Sequence, residues 1–183
     1  MILLILLMKL MRILKLKQID ILKHNRFLDI CDIIGNFSHC ISRKVGCIIV
    51  KDGRIIASGY NGTPAKFTNC DEIFTSLDDR EAHHKFSEDF EVHAEINAVL
   101  MCAKHGVSIQ DAVIYTNLQP CKNCLKMLCN SGIKKIYFRN RYDLSAYPKE
   151  MLDMLNKLNI ELILVEEKKC YINGDFLISG NGI

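Results

Sequence analysis

His93-Ala94-Glu95-Ile96-Asn97-Ala98 and, further along, Pro120-Cys121-Lys122-Asn123-Cys124 are the two stretches on which the reading of this chain turns. One imidazole and a Cys-x-x-Cys pair make three ligands for a borderline-soft ion such as zinc. Three protein ligands leave the fourth tetrahedral position open, which marks a catalytic rather than a structural zinc. The alternative is a zinc-ribbon-like site closed by a fourth protein ligand. Glu95 lies two residues from His93, so its side chain projects away from the imidazole and is not a ligand. It is placed to handle protons beside a bound water, whose pKa zinc lowers towards about 7. Both motifs fall where helices begin. Glu91 to His105 reads as a helix with Val92, Ile96, Val99 and Leu100 on one face, so Glu91 and His93 are expected on one turn. Cys121 to Asn130 reads as a second helix, opening behind Pro120. Residues three apart share a helix face, so both thiols reach one ion. Helix N-termini also favour the thiolate form.

Outward from these helices, the pattern alternates. Lys23 to Phe37 is helical, with Phe27, Ile30, Ile34 and Phe37 at helical spacing. Val45 to Val50 and Ile55 to Ser58 read as strands of a hairpin, turned at Lys51-Asp52-Gly53-Arg54. Gly59-Tyr60-Asn61-Gly62-Thr63-Pro64 reads as a loop. Residues 65–90 are polar and read as an insertion. Ala112 to Thr116, Lys135 to Phe138 and Ile160 to Val165 are strands, and Pro148 to Leu158 is a helix. Strands alternating with helices imply an α/β sandwich around a largely buried sheet. The expected divisions are a leader at 1–22, one domain at 23–168 and a tail at 169–183 without a clear pattern.

Composition narrows the class. A chain of 183 residues, 49% hydrophobic, suits one domain with a sizeable core. A net charge of +3, no Trp and no basic-aromatic run argue against a nucleic-acid groove. Nine cysteines are an odd number, which fits reduced thiols and metal ligands in a cytoplasmic protein better than a disulfide framework. Met1 to Met8 is wholly apolar but too short to span a bilayer, and no positive region precedes it as in a signal peptide. A helix packed on the domain or on a partner subunit, or an upstream start before Met8 or Met11, remain the readings, with no membrane role expected.

The His-x-Glu and Pro-Cys-x-x-Cys pair resembles the signature of zinc nucleobase deaminases. Lys44-Val45-Gly46, the Tyr60-Asn61-Gly62-Thr63-Pro64 loop, His93 to Ala98, and Pro120-Cys121 through Ser131-Gly132-Ile133-Lys134-Lys135 together resemble the deoxycytidylate deaminases of the phage and viral type, over about Asn25 to Leu164. That resemblance implies the cytidine deaminase fold, a three-layer α/β/α sandwich with a five-stranded mixed sheet. It implies hydrolysis of dCMP to dUMP and ammonia, with His93, Cys121 and Cys124 on a catalytic zinc and Glu95 as the proton carrier. It implies substrate contacts from Asn61, Tyr142 and Ala94. For the phosphate, Arg43 and Lys44 are candidates, with Arg43 preferred for its bidentate fork; the alternative for either is a solvated surface charge. Asn117 departs from the pattern, since relatives usually carry Thr before Leu-x-Pro-Cys.

The resemblance further implies a second, structural zinc on Cys40, Cys70, His83 and Glu91, with His84 competing with His83. Taken without the family, these residues are scattered buried thiols and a surface histidine. Many family members are hexamers, activated by dCTP and inhibited by dTTP with Mg²⁺; Gly59, Tyr60, Asn61 and Gly62 resemble the effector site, or else only shape the substrate pocket. Two rivals remain. A polynucleotide-editing deaminase would need basic and aromatic residues along a groove. A binding protein that kept the fold would show loss of His93, Glu95, Cys121 or Cys124, and all four are present.

Overall fold

Ile48, Ile49 and Val50 are β-branched and suit a pleated, buried strand. The Asp52-Gly53 pair that follows takes positive φ at both residues (52° and 75°), as a two-residue hairpin loop requires. Gly46–Lys51 (β1) and Arg54–Tyr60 (β2) therefore pair antiparallel, with Lys51 opposite Arg54. The computed structural model describes residues 20–142, 147–166, 169–172 and 175–179. The Met1–Lys17 leader and the side chain of Cys170 lie outside the described residues.

Helix α1 covers residues 20–35. After the hairpin come α2 (Cys70–Ile73), α3 (Arg80–Phe90) and α4 (Ala94–Lys104), then β3 (Val113–Leu118), α5 (Lys122–Cys129), β4 (Lys135–Asn140), α6 (Lys149–Lys157), β5 (Glu161–Glu166), β6 (Lys169–Ile172) and β7 (Asp175–Ser179). The sheet order is β2-β1-β3-β4-β5-β6-β7. β3, β4 and β5 run parallel, while β1 is antiparallel to both of its neighbours. The first five in that order, β2-β1-β3-β4-β5, make the expected five-stranded mixed sheet. β6 and β7 lengthen it, antiparallel, from residues in which the sequence pattern marked no element.

Strand alternation divides the core between the two faces. Cys47, Ile49, Ile114, Ile136, Phe138, Leu162 and Leu164 pack with α4, α5 and α6 through Ala98, Cys102, Leu125, Leu128 and Leu155. Ile48, Val50, Tyr115, Tyr137, Ile163 and Val165 pack with α1 through Ile21, Leu28 and Cys31. These are the three layers of the α/β/α sandwich.

Two helices press on the sheet backbone to backbone. A Cβ on Gly46 would lie 1.9 Å from the Cys31 carbonyl oxygen of α1, and one on Gly59 would lie 2.4 Å from that of Ala94 in α4. That close approach corrects two expectations. Gly59 and Tyr60 end β2 rather than forming a loop. The buried face of α4 is Ala94, Glu95, Ala98 and Cys102, with Leu100 exposed, because only small side chains fit between the helix and β2.

The 65–90 insertion also differs from expectation, since it carries α2 and α3. Asp79 caps α3 by accepting from the Ala82 amide at 2.9 Å, and the helix buries only His83 and Phe86. So narrow an apolar face leaves little periodic signal.

Candidate active site

β3 ends at Leu118, and Gln119-Pro120 carries the chain to Cys121, the N-cap of α5; His93 is the N-cap of α4. Two helix starts thus converge at the carboxyl end of the parallel strands, where α/β sheets build their sites. His93 Nδ1 lies 3.4 Å from Cys121 Sγ and 3.3 Å from Cys124 Sγ. All three ligand atoms fall within 4.8 Å of one another. Zinc–sulfur bonds of about 2.3 Å and zinc–nitrogen bonds of about 2.0–2.1 Å, at a tetrahedral angle, place N and S about 3.5 Å apart, so the donor set fits one ion. The hydrogen bond from the Cys124 thiol, assisted by His93 and the Cys124 amide, draws the Cys121 thiol down to about 4, and Cys124 is raised because it holds that proton. The bond to Cys121 raises His93.

Glu95, in the first turn of α4, is 3% exposed. Burial raises its carboxyl, against His93 and a bond from Cys124 that favour the charged form. A carboxyl raised in this way is a stronger base than a solvated one, which suits proton transfer beside the cluster. Tyr147 was not singled out by sequence. Its hydroxyl donates to the Pro120 carbonyl; burial raises it, a bond with Gln119 opposes, and Glu95, Cys121 and Cys124 add smaller upward pushes. No spacing marks a lone tyrosine ahead of Pro148; only its packing onto Pro120 does.

On the rim, Arg43 and Tyr142 meet: the guanidinium carbon stands 4.4 Å above the ring centroid. Asn61 is buried, and its amide accepts from Val45 N at 2.9 Å and donates to Arg43 O at 3.0 Å. Asn117 is buried too and bonds Gly46 N and Lys44 O. Ala94 is fully buried at the start of α4.

Cys40, Cys70 and His83 form a second cluster, all buried, with ligand atoms within 4.8 Å of one another. Cys40 Sγ lies 3.7 Å from His83 Nε2. His84 faces away, in an exposed i,i+4 pair with Glu88, so the structure brings His83 to the thiols and not its neighbour. Glu91 Oε2 accepts from Ser87 at 2.6 Å, while its buried Oε1 has no hydrogen-bond partner. Burial, aided by Cys40 and Glu91 and opposed by a backbone bond at Ile41, pushes the Cys70 thiol up to about 11. Glu91 is the C-cap of α3, Val92 bridges to Gly62, and His93 starts α4. Glu91 and His93 therefore do not share a helical turn, contrary to the expectation from sequence. A single extended residue, Val92, separates them, held by its pairing with Gly62.

That loop borders a cavity of about 490 Å³ lined by His39, Tyr60, Gly62, Thr63, Asn69 and Glu72, among others. Among the described residues, no helix is long and apolar enough to cross a membrane.

Residues 23–140 match the model of the cytidine and deoxycytidylate deaminase zinc-binding region. The chain belongs to the cytidine and deoxycytidylate deaminase family. Within it, the chain is 33% identical over 179 residues to the deoxycytidylate deaminase of Enterobacteria phage T4, covering 80% of this chain and 92% of that one. It is 36% identical over 131 residues to ComE operon protein 2 of Bacillus subtilis, covering 71% and 65%. The dCMP deaminase of cyanophage S-TIM5, solved in complex with dCMP and dUMP, superposes with a TM-score of 0.59 at 33% identity, over 75% of this chain and 93% of that one. The family's zinc-binding region contains His93, Cys121 and Cys124 here.

Proposed function

We propose that this chain hydrolyses dCMP to dUMP and ammonia, supplying dUMP for thymidylate synthesis. The observation that carries the proposal is the convergence of His93, Cys121 and Cys124 on one point, with the buried carboxyl of Glu95 beside them. When bound, zinc lowers the pKa of a coordinated water and so supplies a nucleophile at neutral pH. Glu95 accepts one proton from the attacking water and delivers it to the ring nitrogen next to the amino-bearing carbon; it then takes the second proton from the hydroxyl added to that carbon and passes it to the amine, which leaves as ammonia as the carbonyl forms. Burial raises the Glu95 carboxyl, which suits a group that must both accept and give up a proton.

Asn61 and the start of α4 at Ala94 are assigned to the sugar and base, Tyr142 to the face of the nucleotide, and Arg43 to its 5′-phosphate. The second cluster is assigned a structural zinc held by Cys40, Cys70, His83 and Glu91. The orphaned Glu91 Oε1 supports this, because a buried carboxylate oxygen without a partner is costly unless an ion or donor meets it. Such a site would anchor the polar 65–90 segment within the 23–168 domain, which buries little apolar surface of its own.

Regulation by dCTP and dTTP, with Mg²⁺, is assigned to the Gly59–Gly62 region beside the cavity, in a cytoplasmic homohexamer. The deciding experiment is ammonia release from dCMP beside CMP, deoxycytidine and single-stranded DNA. Turnover confined to dCMP supports the assignment; preference for DNA or for the free nucleoside overturns it.

A further inference from the structure

Four consecutive residues leading into β1 are gripped from both sides by two buried amides. Asn61, just past β2, accepts from Val45 N and donates to Arg43 O, at 2.9 and 3.0 Å. Asn117, in β3, accepts from Gly46 N and donates to Lys44 O, at 3.0 and 3.1 Å. A carboxamide carries a donor and an acceptor side by side, so each residue imitates a neighbouring strand and fixes the 43–46 backbone. The Arg43 side chain projects from this fixed backbone and is exposed. Among the described residues no acid pairs with it, and its guanidinium lies over the Tyr142 ring.

Tyr142 is tied back to the same asparagine. The Asn117 carbonyl accepts from Asn140 Nδ2 at 2.8 Å, Asn140 O accepts from Gln119 N at 2.8 Å, and Gln119 Oε1 accepts from Tyr142 N at 3.4 Å. The side chain of Asn117 thus sets one partner of the Arg43–Tyr142 contact, and its main chain sets the other.

We propose that Asn117 is a positioning residue that fixes the gap between Arg43 and Tyr142, and so lets the site select a pyrimidine nucleoside 5′-monophosphate over the free nucleoside. The proposal rests on the dCMP deaminase reading above. A guanidinium stacked on an aromatic ring keeps its planar fork of donors free for a phosphate, and a fixed backbone removes the entropy of placing that fork. Removing the Asn117 carboxamide would loosen the fork, not the zinc cluster or Glu95.

Asn117→Thr, which suits a strand but cannot span both backbone groups, is compared with Arg43→Ala and the double variant. The measurements are kcat and KM for dCMP, and the inhibition constant of deoxycytidine as a competitor. The expected result for Asn117→Thr is a rise of about tenfold in KM for dCMP, the size of one lost charge-assisted hydrogen bond, with kcat within about twofold. The inhibition constant of deoxycytidine, which has no phosphate, stays where it was. Arg43→Ala gives the same split, and the double variant adds nothing to it.

Parallel weakening of dCMP and deoxycytidine, an unmoved KM, or full additivity in the double variant overturns the proposal. Wild-type protein that deaminates dCMP but binds deoxycytidine equally well also overturns it, while leaving the deaminase reading intact. Wild-type protein without dCMP turnover removes both. Thermal unfolding of each variant separates loss of fold from loss of phosphate selection.

Discussion

Glu95 combines a position next to a metal-ligand cluster with nearly complete burial. A glutamine there keeps the shape and the hydrogen-bonding reach but cannot carry a proton. Glu95→Gln should therefore keep its zinc and its melting temperature while losing on the order of 10²–10⁴-fold or more in kcat, the usual share of a general acid–base group. Zinc content and single-turnover ammonia release check this together; a zinc-loaded, substantially active variant would sink the role. His93, Glu95, Cys121 and Cys124 were legible in sequence because ligand chemistry restricts residue type and spacing more tightly than packing does. Tyr147 was not, and Asn117 stood out only as a departure from the family pattern, without its role. Their partners, the backbone of Lys44 and Gly46 and the Pro120 carbonyl, are peptide groups that any sequence offers.

At the scale of elements, α1 is locked to the sheet by two polar contacts. Arg139, on β4, donates to Asp29 at 2.6 Å, to Asn25 O at 3.0 Å and to Asp32. Both acids are partly solvated, which moderates the gain. Arg139→Met should lower unfolding free energy by about 1–2 kcal/mol, measured by urea titration, with catalysis intact. The second contact is His24, whose Nδ1 lies 2.8 Å from the Tyr115 hydroxyl and whose ring stacks on Tyr137 at 4.1 Å. Burial lowers its pKa; Asp20 opposes, while Lys23 and Lys135 assist.

The unfolded chain therefore holds this proton more tightly than the folded one. Stability rises with pH through the window below 6.5 and is lost as pH falls into it. His24→Phe should flatten that dependence in denaturation series between about pH 5 and 7. An unchanged slope would show that another group dominates. Helix α4 illustrates the limits of periodicity. Val92 and Leu100 fit a helical stripe in sequence, yet the buried face is the small-residue side that Gly59 admits.

The whole molecule joins two ligand clusters through one short break in the chain, Val92, which pairs with Gly62. If the second cluster holds zinc, metal analysis should give two zinc ions per wild-type chain and one for Cys70→Ser. That variant should also lose thermal stability and gain protease sensitivity within residues 65–90. One zinc in the wild type would reject the site. If the Gly62 loop carries an effector, the rate curve against dCMP should be sigmoidal and become hyperbolic with dCTP; a hyperbolic curve indifferent to dCTP and dTTP would reject regulation.

The sequence by itself determined the α/β class, the central strands and the chemistry of the zinc cluster. Those depend on local signals: β-branched runs, an Asp-Gly turn, and ligand residues at fixed spacing on helix starts. Only the tertiary structure decided that His83 rather than His84 meets the thiols, that β6 and β7 extend the sheet, and that Asn61 and Asn117 close on one strand between them. Each of those outcomes depends on which distant backbone comes within hydrogen-bonding or ligand distance, a property of packing that no stretch of the chain encodes alone.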